Sequence, residues 1–249
     1  MSNLYYWKKV TDDKKITKHK YFIDQIKKPK FSTIELFNFL KKRIKIKNKS
    51  FIDLGCGNGC NLDYLLTKYD VVQNCVGLDL NPYLINFGNN YLAKKNLKFD
   101  TSNIFKIKKK YILKFDVALC LQTLPYLKDY QKALKEISKL KTKYIVSSCL
   151  LWEGLIDFNI KLNVFKNSSH KRHLDYYRYY NIYSLKNFIN YMKALGFKKN
   201  YLKKFTVKKP IYIKNKKIMG TYTIKNQNKL IQMSGPIKMN WYFILSKRN

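Results

Sequence analysis

The chain has 249 residues, 46% of them hydrophobic, with a net charge of +36 and five cysteines. That size and apolar content are enough for one substantial core and argue against a second catalytic module. No apolar run approaches the roughly 20 residues of a membrane span, and Cys56, Cys60, Cys75, Cys120 and Cys149 include no C-x-x-C pair, so neither a metal site nor a disulfide framework is expected. The start, MSNLYYWKKVTDDKKITKHK, has no secretory apolar core and carries Asp12 and Asp13, which makes a cytoplasmic address the default.

The charge has two readings. As an electrostatic footprint it would point to nucleic acid or another anionic surface. As codon bias it would follow from a chain crowded with Lys, Asn, Ile and Tyr, in which Arg43, Arg172, Arg178 and Arg248 are the only arginines. Dedicated phosphate readers use more Arg, whose planar fork grips phosphate in two places. The lysines are also spread along the whole chain, which favours codon bias, although the scarcity of Glu (Glu35, Glu136 and Glu153) pulls the other way.

In chain order, residues 1–31 form a basic, aromatic leader without a clear period, carrying Tyr5, Tyr6, Trp7, Tyr21 and Phe22. Ser32-Thr33-Ile34-Glu35 reads as a capping box ahead of a helix bearing Leu36, Phe37, Phe39, Leu40 and Ile44. From Phe51 to Leu151 short apolar strands alternate with helices: FIDL, a helix to about residue 67, CVGLDL, a helix over about 82–94, LKFD, FDVALCL, a helix over about 128–140, and YIVSSCLL. Such alternation predicts a parallel sheet with helices on both faces. Residues 152–183 break the pattern and read as an irregular, aromatic lid or insertion. Ser184 then caps a helix stopped by Gly196. Strand-like runs follow at KKFTV, GTYTIK, KLIQMS and WYFILSK, the middle two forming a hairpin around Asn226-Gln227-Asn228.

The chemistry concentrates in FIDLGCGNGCNLDYLL, residues 51–66. A strand enters Asp53, glycines follow at Gly55, Gly57 and Gly59, and an amphipathic helix begins, so backbone N–H groups at a helix N-terminus face whatever lies against the turn. The dinucleotide version of this turn, G-x-G-x-x-G, would place its third small residue at Cys60. The order Asp53-x-Gly55-x-Gly57-x-Gly59 instead resembles motif I of the class I S-adenosylmethionine (SAM)-dependent methyltransferases. A second strand ends in Asp79, 20 residues after Gly59, where a carboxylate can accept both hydroxyls of a nucleoside ribose.

The resemblance implies a Rossmann-like α/β fold: a mixed, mostly parallel seven-stranded sheet with helices on both faces, plus a C-terminal β-hairpin extension, spanning residues 32–249 behind the leader. It implies SAM as cofactor. Gly55, Gly57 and Gly59 would lie against its methionyl part, with Asp53 ordering the loop or reaching the methionyl amine. Asp79, with Leu80 beside it, would take the ribose. Asn103 would bond the adenine amino group, Ile104 flanking the ring and Asp100 being the competitor if the register slips. The segment Phe115 to Tyr126 looks like motif IV, bringing Cys120 toward the cofactor. It lacks both the Asn/Asp-Pro-Pro-aromatic turn of enzymes that methylate exocyclic base nitrogens and the Pro-Cys nucleophile of cytosine-C5 enzymes.

No residue stands out as a catalytic base, and positioning alone accelerates an in-line methyl displacement greatly. The lid places His173, Tyr180 and Tyr183, with His170, where they could line an acceptor pocket. The C-terminal text resembles bacterial class I methyltransferases of unassigned substrate, some found among surface-polysaccharide genes. The expectation is therefore methyl transfer to an O or N atom of a small or carbohydrate-type acceptor. The alternatives are an RNA methyltransferase, for which the charge speaks, and a non-catalytic methyltransferase-fold protein binding RNA or a partner, against which the intact glycines and Asp79 speak.

Overall fold

A computed structural model describes residues 17–69, 73–165, 174–212 and 221–249. Its centre is a sheet whose main path runs β3 (Leu97–Thr101), β2 (Cys75–Asp79), β1 (Phe51–Leu54), β4 (Val117–Leu121), β5 (Tyr144–Trp152), β13 (Trp241–Lys247) and β9 (Lys199–Lys204). The first five strands are mutually parallel, and β13 runs antiparallel to both β5 and β9. Chain order reverses between β1 and β4, which opens a crevice at the carboxyl ends of those strands. An eighth, two-residue strand, β8 (Tyr183–Ser184), pairs parallel with the end of β5, so the sheet exceeds the seven strands expected. The edge strand is KNYLKK, a few residues ahead of the predicted KKFTV.

The strands read as unbroken apolar runs because helices cover both faces. On one face α2 (Phe31–Lys41), α3 (Cys60–Tyr69) and α4 (Pro82–Tyr91) bury Leu36, Phe37, Leu62, Leu65 and Ile85 against Phe51, Phe99, Phe243 and Leu245. On the other, α5 (Tyr130–Ser138) and α6 (Leu185–Ala194) bury Leu134, Ile137, Phe188 and Met192 against Ile52, Ala118, Ile145 and Ile244. Helix starts are set locally: Asn81 accepts from Tyr83 N ahead of Pro82, Asp129 from Lys132 N, and Ser184 from Asn187 N.

The capping box at Ser32 does not form. The helix begins one residue earlier, at Phe31, with Lys30 at its N-cap and no side-chain cap. Glu35 turns outward instead to Lys203 of β9, 2.7 Å away, because in this lysine-rich chain a cation outcompetes a backbone N–H. The leader also differs from expectation, since its described part is a helix, α1 (Thr17–Lys27), with Phe22 edge-on to Phe87. The segment expected to be an irregular lid contains a two-stranded antiparallel ribbon, β6 (Lys161–Phe165) with β7 (Leu174–Tyr179). The C-terminal hairpin has the two-residue loop Gln227-Asn228 and gains a third strand: β10 (Thr221–Asn226), β11 (Lys229–Ser234) and β12 (Ile237–Lys238).

One packing detail fixes the crevice. The Phe99 ring lies where a Cβ on Gly59, Gly77 or Gly88 would sit, at 2.4, 2.6 and 2.8 Å respectively. Replacing Gly88 by Ala should therefore destabilise the protein despite a helix-propensity gain of about 1 kcal/mol, because forcing a methyl against a packed ring costs about 1–3 kcal/mol. Urea unfolding of G88A, F99L and the double variant should show the loss shrinking when the ring is trimmed.

Candidate functional site

The glycine turn between β1 and α3 has positive φ at all three glycines, 77° at Gly55, 59° at Gly57 and 81° at Gly59. Their surroundings differ. A Cβ on Gly55 would meet the Thr123 hydroxyl at 2.4 Å and one on Gly59 the Phe99 ring at 2.4 Å, whereas one on Gly57 would meet nothing within 4 Å among the described residues. Gly55 and Gly59 thus make room for neighbouring protein, and Gly57 faces open space.

Two carboxylates sit below the turn. Asp79 Oδ2 accepts from Gly57 N and Oδ1 from Asn81 N, both at 2.9 Å, so the tip of β2 is latched to the glycine turn. Burial pushes its carboxyl up, against the hydrogen bonds from Asn81 and Gly57. Asp53 is wholly buried, and neither of its carboxylate oxygens has a hydrogen-bond partner. Burial, and then the neighbouring Asp79, push its carboxyl up to about 7. Paired carboxylates of this kind, one orphaned and one still offering lone pairs, fit a ligand that brings a cation and hydroxyls. The residues present therefore fit SAM, whose methionyl ammonium and ribose supply both.

At the exit of β3, Asn103 is exposed and its side-chain oxygen accepts from Phe105 N at 2.9 Å, while Ile104 packs against the core under α5. Asp100 is engaged elsewhere: burial pushes its carboxyl up, but hydrogen bonds from Lys108, Tyr111 and Lys110 outweigh it and hold the group well below the usual carboxylate range. Leu80 is half-buried just beyond β2. Cys120, expected at the cofactor, is instead wholly buried in a cluster with Ala118, Leu134 and Cys149, because β4 is covered on both faces along its whole length.

A cleft opens between the start of α2, the start of α3 and the tip of β4. It is lined by Lys30, Ser32, Thr33, Asn61, Gln122 and Ser148 above an apolar floor that includes Leu36 and Phe243, and spans about 350 Å³ with its open mouth. Gln122 sits there in the left-handed region at φ 54°, its N–H held by the Ser148 hydroxyl at 2.8 Å. Thr33 donates to Asn61 Oδ1 at 2.9 Å, tying the two helix starts together. None of these residues stood out in the sequence as lining a cleft: Ser32 and Thr33 read as a capping box, and the available cue was a polar Gln122 directly after the apolar run DVALCL.

Behind the cleft, the turn leaving β4 is bolted to the root of the ribbon. Asn181 is fully buried. Its backbone N–H donates to Pro125 O and its side chain to Leu127 O, while its oxygen accepts from Ile160 N, at 2.8, 2.9 and 3.0 Å. Tyr183 was expected in the acceptor pocket, but its ring packs on Tyr130, 4.1 Å between centroids, and its hydroxyl donates to Leu124 O. It is a core residue because β8 draws it under the sheet edge. Tyr180 is also buried, its ring 5.5 Å from that of Tyr126, in a cluster with Leu150, Met239 and Trp241. His170 and His173 lie outside the described residues.

Comparison with known proteins agrees with this geometry. A family model described as a methyltransferase domain matches residues 45–181. Among solved structures, the methyltransferase in complex with the Trm112 methyltransferase activator of Haloferax volcanii superposes with a TM-score of 0.54 at 12% identity, covering 86% of this chain and 88% of that one. A SAM-dependent methyltransferase of Thermotoga maritima gives 0.50 at 11% identity, covering 94% and 96%. These likenesses establish the fold. The chain belongs to the methyltransferase-domain family, within the class I fold whose methyl donor is SAM. Among curated proteins, tRNA U34 carboxymethyltransferase of Campylobacter fetus is 32% identical over 111 residues, 43% of this chain and 38% of that protein. Ubiquinone biosynthesis O-methyltransferase of Coxiella burnetii is 27% identical over 104 residues, 41% of this chain and 43% of that protein. The matched region thus spans about two fifths of each relative's length.

The raised Asp53 carboxyl predicts a pH signature. The folded state holds that proton more tightly than the unfolded chain, so its contribution to stability is full below pH 4 and is lost as pH rises through about 7. Asp53→Asn removes the group. Its unfolding free energy relative to wild type should climb between pH 4 and 7 and level off above, by roughly 1.4 kcal/mol per pH unit at most; a flat difference across a calorimetric pH series would refute the buried, unpaired carboxyl.

Proposed function

We propose that this protein transfers the methyl group of SAM to an O or N atom of a small or carbohydrate-type acceptor held in the cleft at the tip of β4. The observation that carries this reading is the cleft itself. Its rim is made of hydroxyls and amides with a single lysine, as suits a hydroxyl-rich or anionic acceptor. In this reading Asp79 accepts from the ribose hydroxyls, the carboxylate of Asp53 faces the methionyl ammonium, Gly57 lets the cofactor approach the turn, and Asn103 and Ile104 border the adenine. Bound SAM supplies a methyl carried on a positively charged sulfur. The chain's own part is to orient: Gln122 and Ser148 hold the acceptor edge, and Asn181 holds the β4 turn against the ribbon. The Cys60 thiol at the cleft stays protonated, since burial pushes it up. No carboxylate or imidazole lines the cleft among the described residues, so rate enhancement rests on positioning.

A second reading, an RNA acceptor, is favoured by the +36 charge and by the similarity to a tRNA-modifying enzyme. Incubation with methyl-labelled SAM and, separately, the small-metabolite and total-RNA fractions of the source cells distinguishes the two. Label in the metabolite fraction is expected; label in RNA that survives moderate salt would favour the second reading.

For the cofactor, Asp79→Ala should weaken SAM and its demethylated product by about 1.5–3 kcal/mol, the worth of hydrogen bonds to a charged acceptor. Calorimetric titration of folded wild-type and variant protein measures this directly, and equal affinities would remove Asp79 from the ribose.

A further inference from the structure

Two stretches of the chain are far more basic than the rest. Residues 41–49, KKRIKIKNK, hold six Lys or Arg in nine positions and residues 198–209, KKNYLKKFTVKK, six in twelve, with no acid in either, against 51 in 249 for the whole chain. The fold lays them side by side. The Arg43 guanidinium, just past the end of α2, stands 4.2 Å from the centre of the Phe39 ring and 5.8 Å from that of Tyr201 on the edge strand β9. Glu35 of α2 takes Lys203 at 2.7 Å and Lys208 at 3.9 Å. The hydrogen bond from Lys203, against burial, holds its carboxyl below the usual carboxylate range, and Lys208 and Lys42 act with it. One acid thus answers three cations. Lys49 is paired with Asp116, and among the described residues the remaining cations of the two stretches have no acid within ion-pair distance.

Within this strip a ring is left in the open. Lys199, Tyr201 and Lys203 pair with Lys247, Leu245 and Phe243 of β13, so all three stand on the α2 side of the sheet, and Tyr201 is 40% exposed between its two lysines. Two ordinary explanations cover only part of this. Lysines on an edge strand prevent pairing with another chain, and a cation or two suits the end of a helix, but neither accounts for the exposed Lys45 and Lys47 beyond α2 or for a tyrosine held between cations. Codon bias raises lysine everywhere and does not bring the densest stretches together. We propose that the strip formed by the end of α2 and the edge strand β9 binds single-stranded nucleic acid, its lysines taking the phosphates and Tyr201, backed by Arg43, stacking on a base. Cationic side chains along a backbone track with an aromatic face among them are what single-strand binders combine. The ring selects the occupant, because phosphates alone would suit a duplex equally well, whereas an unpaired base adds the stacking that Tyr201 accepts. The inference goes beyond the acceptor reading, since a strand lying along β9 needs no atom in the cleft.

The test titrates full-length protein into a fluorescein-labelled oligouridylate of about twelve nucleotides, within the site sizes of single-strand binders, over a salt series from about 50 to 300 mM. Wild type should bind with a log–log salt slope of about −3, that of roughly four phosphate contacts at about −0.7 each. K42Q/K199Q should bind about tenfold more weakly and flatten the slope by about 1.4. K95Q/K98Q removes two exposed lysines at the opposite edge of the sheet and should stay within about twofold of wild type. Y201A should lose about fivefold or more at every salt concentration, as loss of one stacked base requires. Each variant is first checked for the melting temperature and SAM binding of wild type. Equal losses in the two double variants would show diffuse charge at work and overturn the strip, as would no binding by wild type. Tighter binding to a duplex of the same length, or an unchanged Y201A, would overturn the single-stranded occupant. Binding to anionic phosphatidylglycerol vesicles that K42Q/K199Q weakens, without oligonucleotide binding, would assign the strip to lipid instead. A failure to methylate any RNA bears on the acceptor, and a loss of SAM binding in wild type on the cofactor; neither changes the oligonucleotide result.

Discussion

The Phe99 ring seated against three glycines is the contact on which the donor side depends. Gly59 belongs to the turn after β1, Gly77 to β2 and Gly88 to α4, and a Cβ on any of them would collide with the same ring. One aromatic side chain therefore sets how closely α4, the second strand and the glycine turn approach each other. It also changes what the motif's glycines mean. The regular Gly-x-Gly-x-Gly spacing suggests three residues serving one ligand, yet Gly59 yields to Phe99 and Gly55 to Thr123, and Gly57 alone opens outward. Tight packing on both flanks of the turn is what holds Gly57 N on Asp79, 2.9 Å away, and so fixes a donor-side carboxylate to the backbone beside it. Preorganisation of this kind spares a ligand the ordering entropy it would otherwise have to offset.

The electrostatic arrangement follows from where the few acids lie in a very basic chain. Glu35, Asp63, Asp100, Asp116 and Glu136 each carry a lysine within ion-pair distance. Asp129 and Asp157 accept from helix-start N–H groups instead. Among the described residues, Asp53 and Asp79 have no such lysine, and they are the acids driven toward their neutral form by burial. A buried carboxylate left unpaired while lysines crowd the surface is a destabilising choice for folding alone. It becomes intelligible if a cationic ligand completes the site.

The fold was legible from residue 51 to about 151 because the apolar runs there agree with the tertiary environment, and beyond them Ser184 caps its helix as its position predicts. Legibility failed where local pattern competed with charge or long-range pairing. Ser32 looked like a cap, but Glu35 prefers Lys203, 168 residues away, a partner no local window contains. The run LDYYRYY alternates too weakly to announce a strand, and its pairing with residues 161–165 supplies what the pattern lacks. The glycine turn and the two acids beneath it were visible as a motif, whereas Cys120 was misplaced because β4 is buried on both faces and Tyr183 because of the short strand β8. Asn181 could not have been found at all, since its role lies in joining Leu127 to Ile160.

That junction lies on one side of the crevice, between the β4 turn and the ribbon. The donor half is built by neighbours in sequence, β1 through β3, and its geometry is set by local turns and the Phe99 contact. In the proposed reading the acceptor half is assembled from α2, the tip of β4, β5 and the ribbon, elements spread over more than half the chain. Thr33 to Asn61 ties the helix that roofs the cleft to the donor turn, Gln122 to Ser148 ties β4 to β5, and Asn181 ties the β4 turn to the ribbon. Each link is a buried or half-buried polar contact, directional where apolar packing is not. The strained Gln122 persists because these links over-determine it. A donor half fixed by short-range sequence and an acceptor half fixed by separable long-range ties allows the acceptor to change while the donor stays, which is how one fold comes to carry many methyl acceptors.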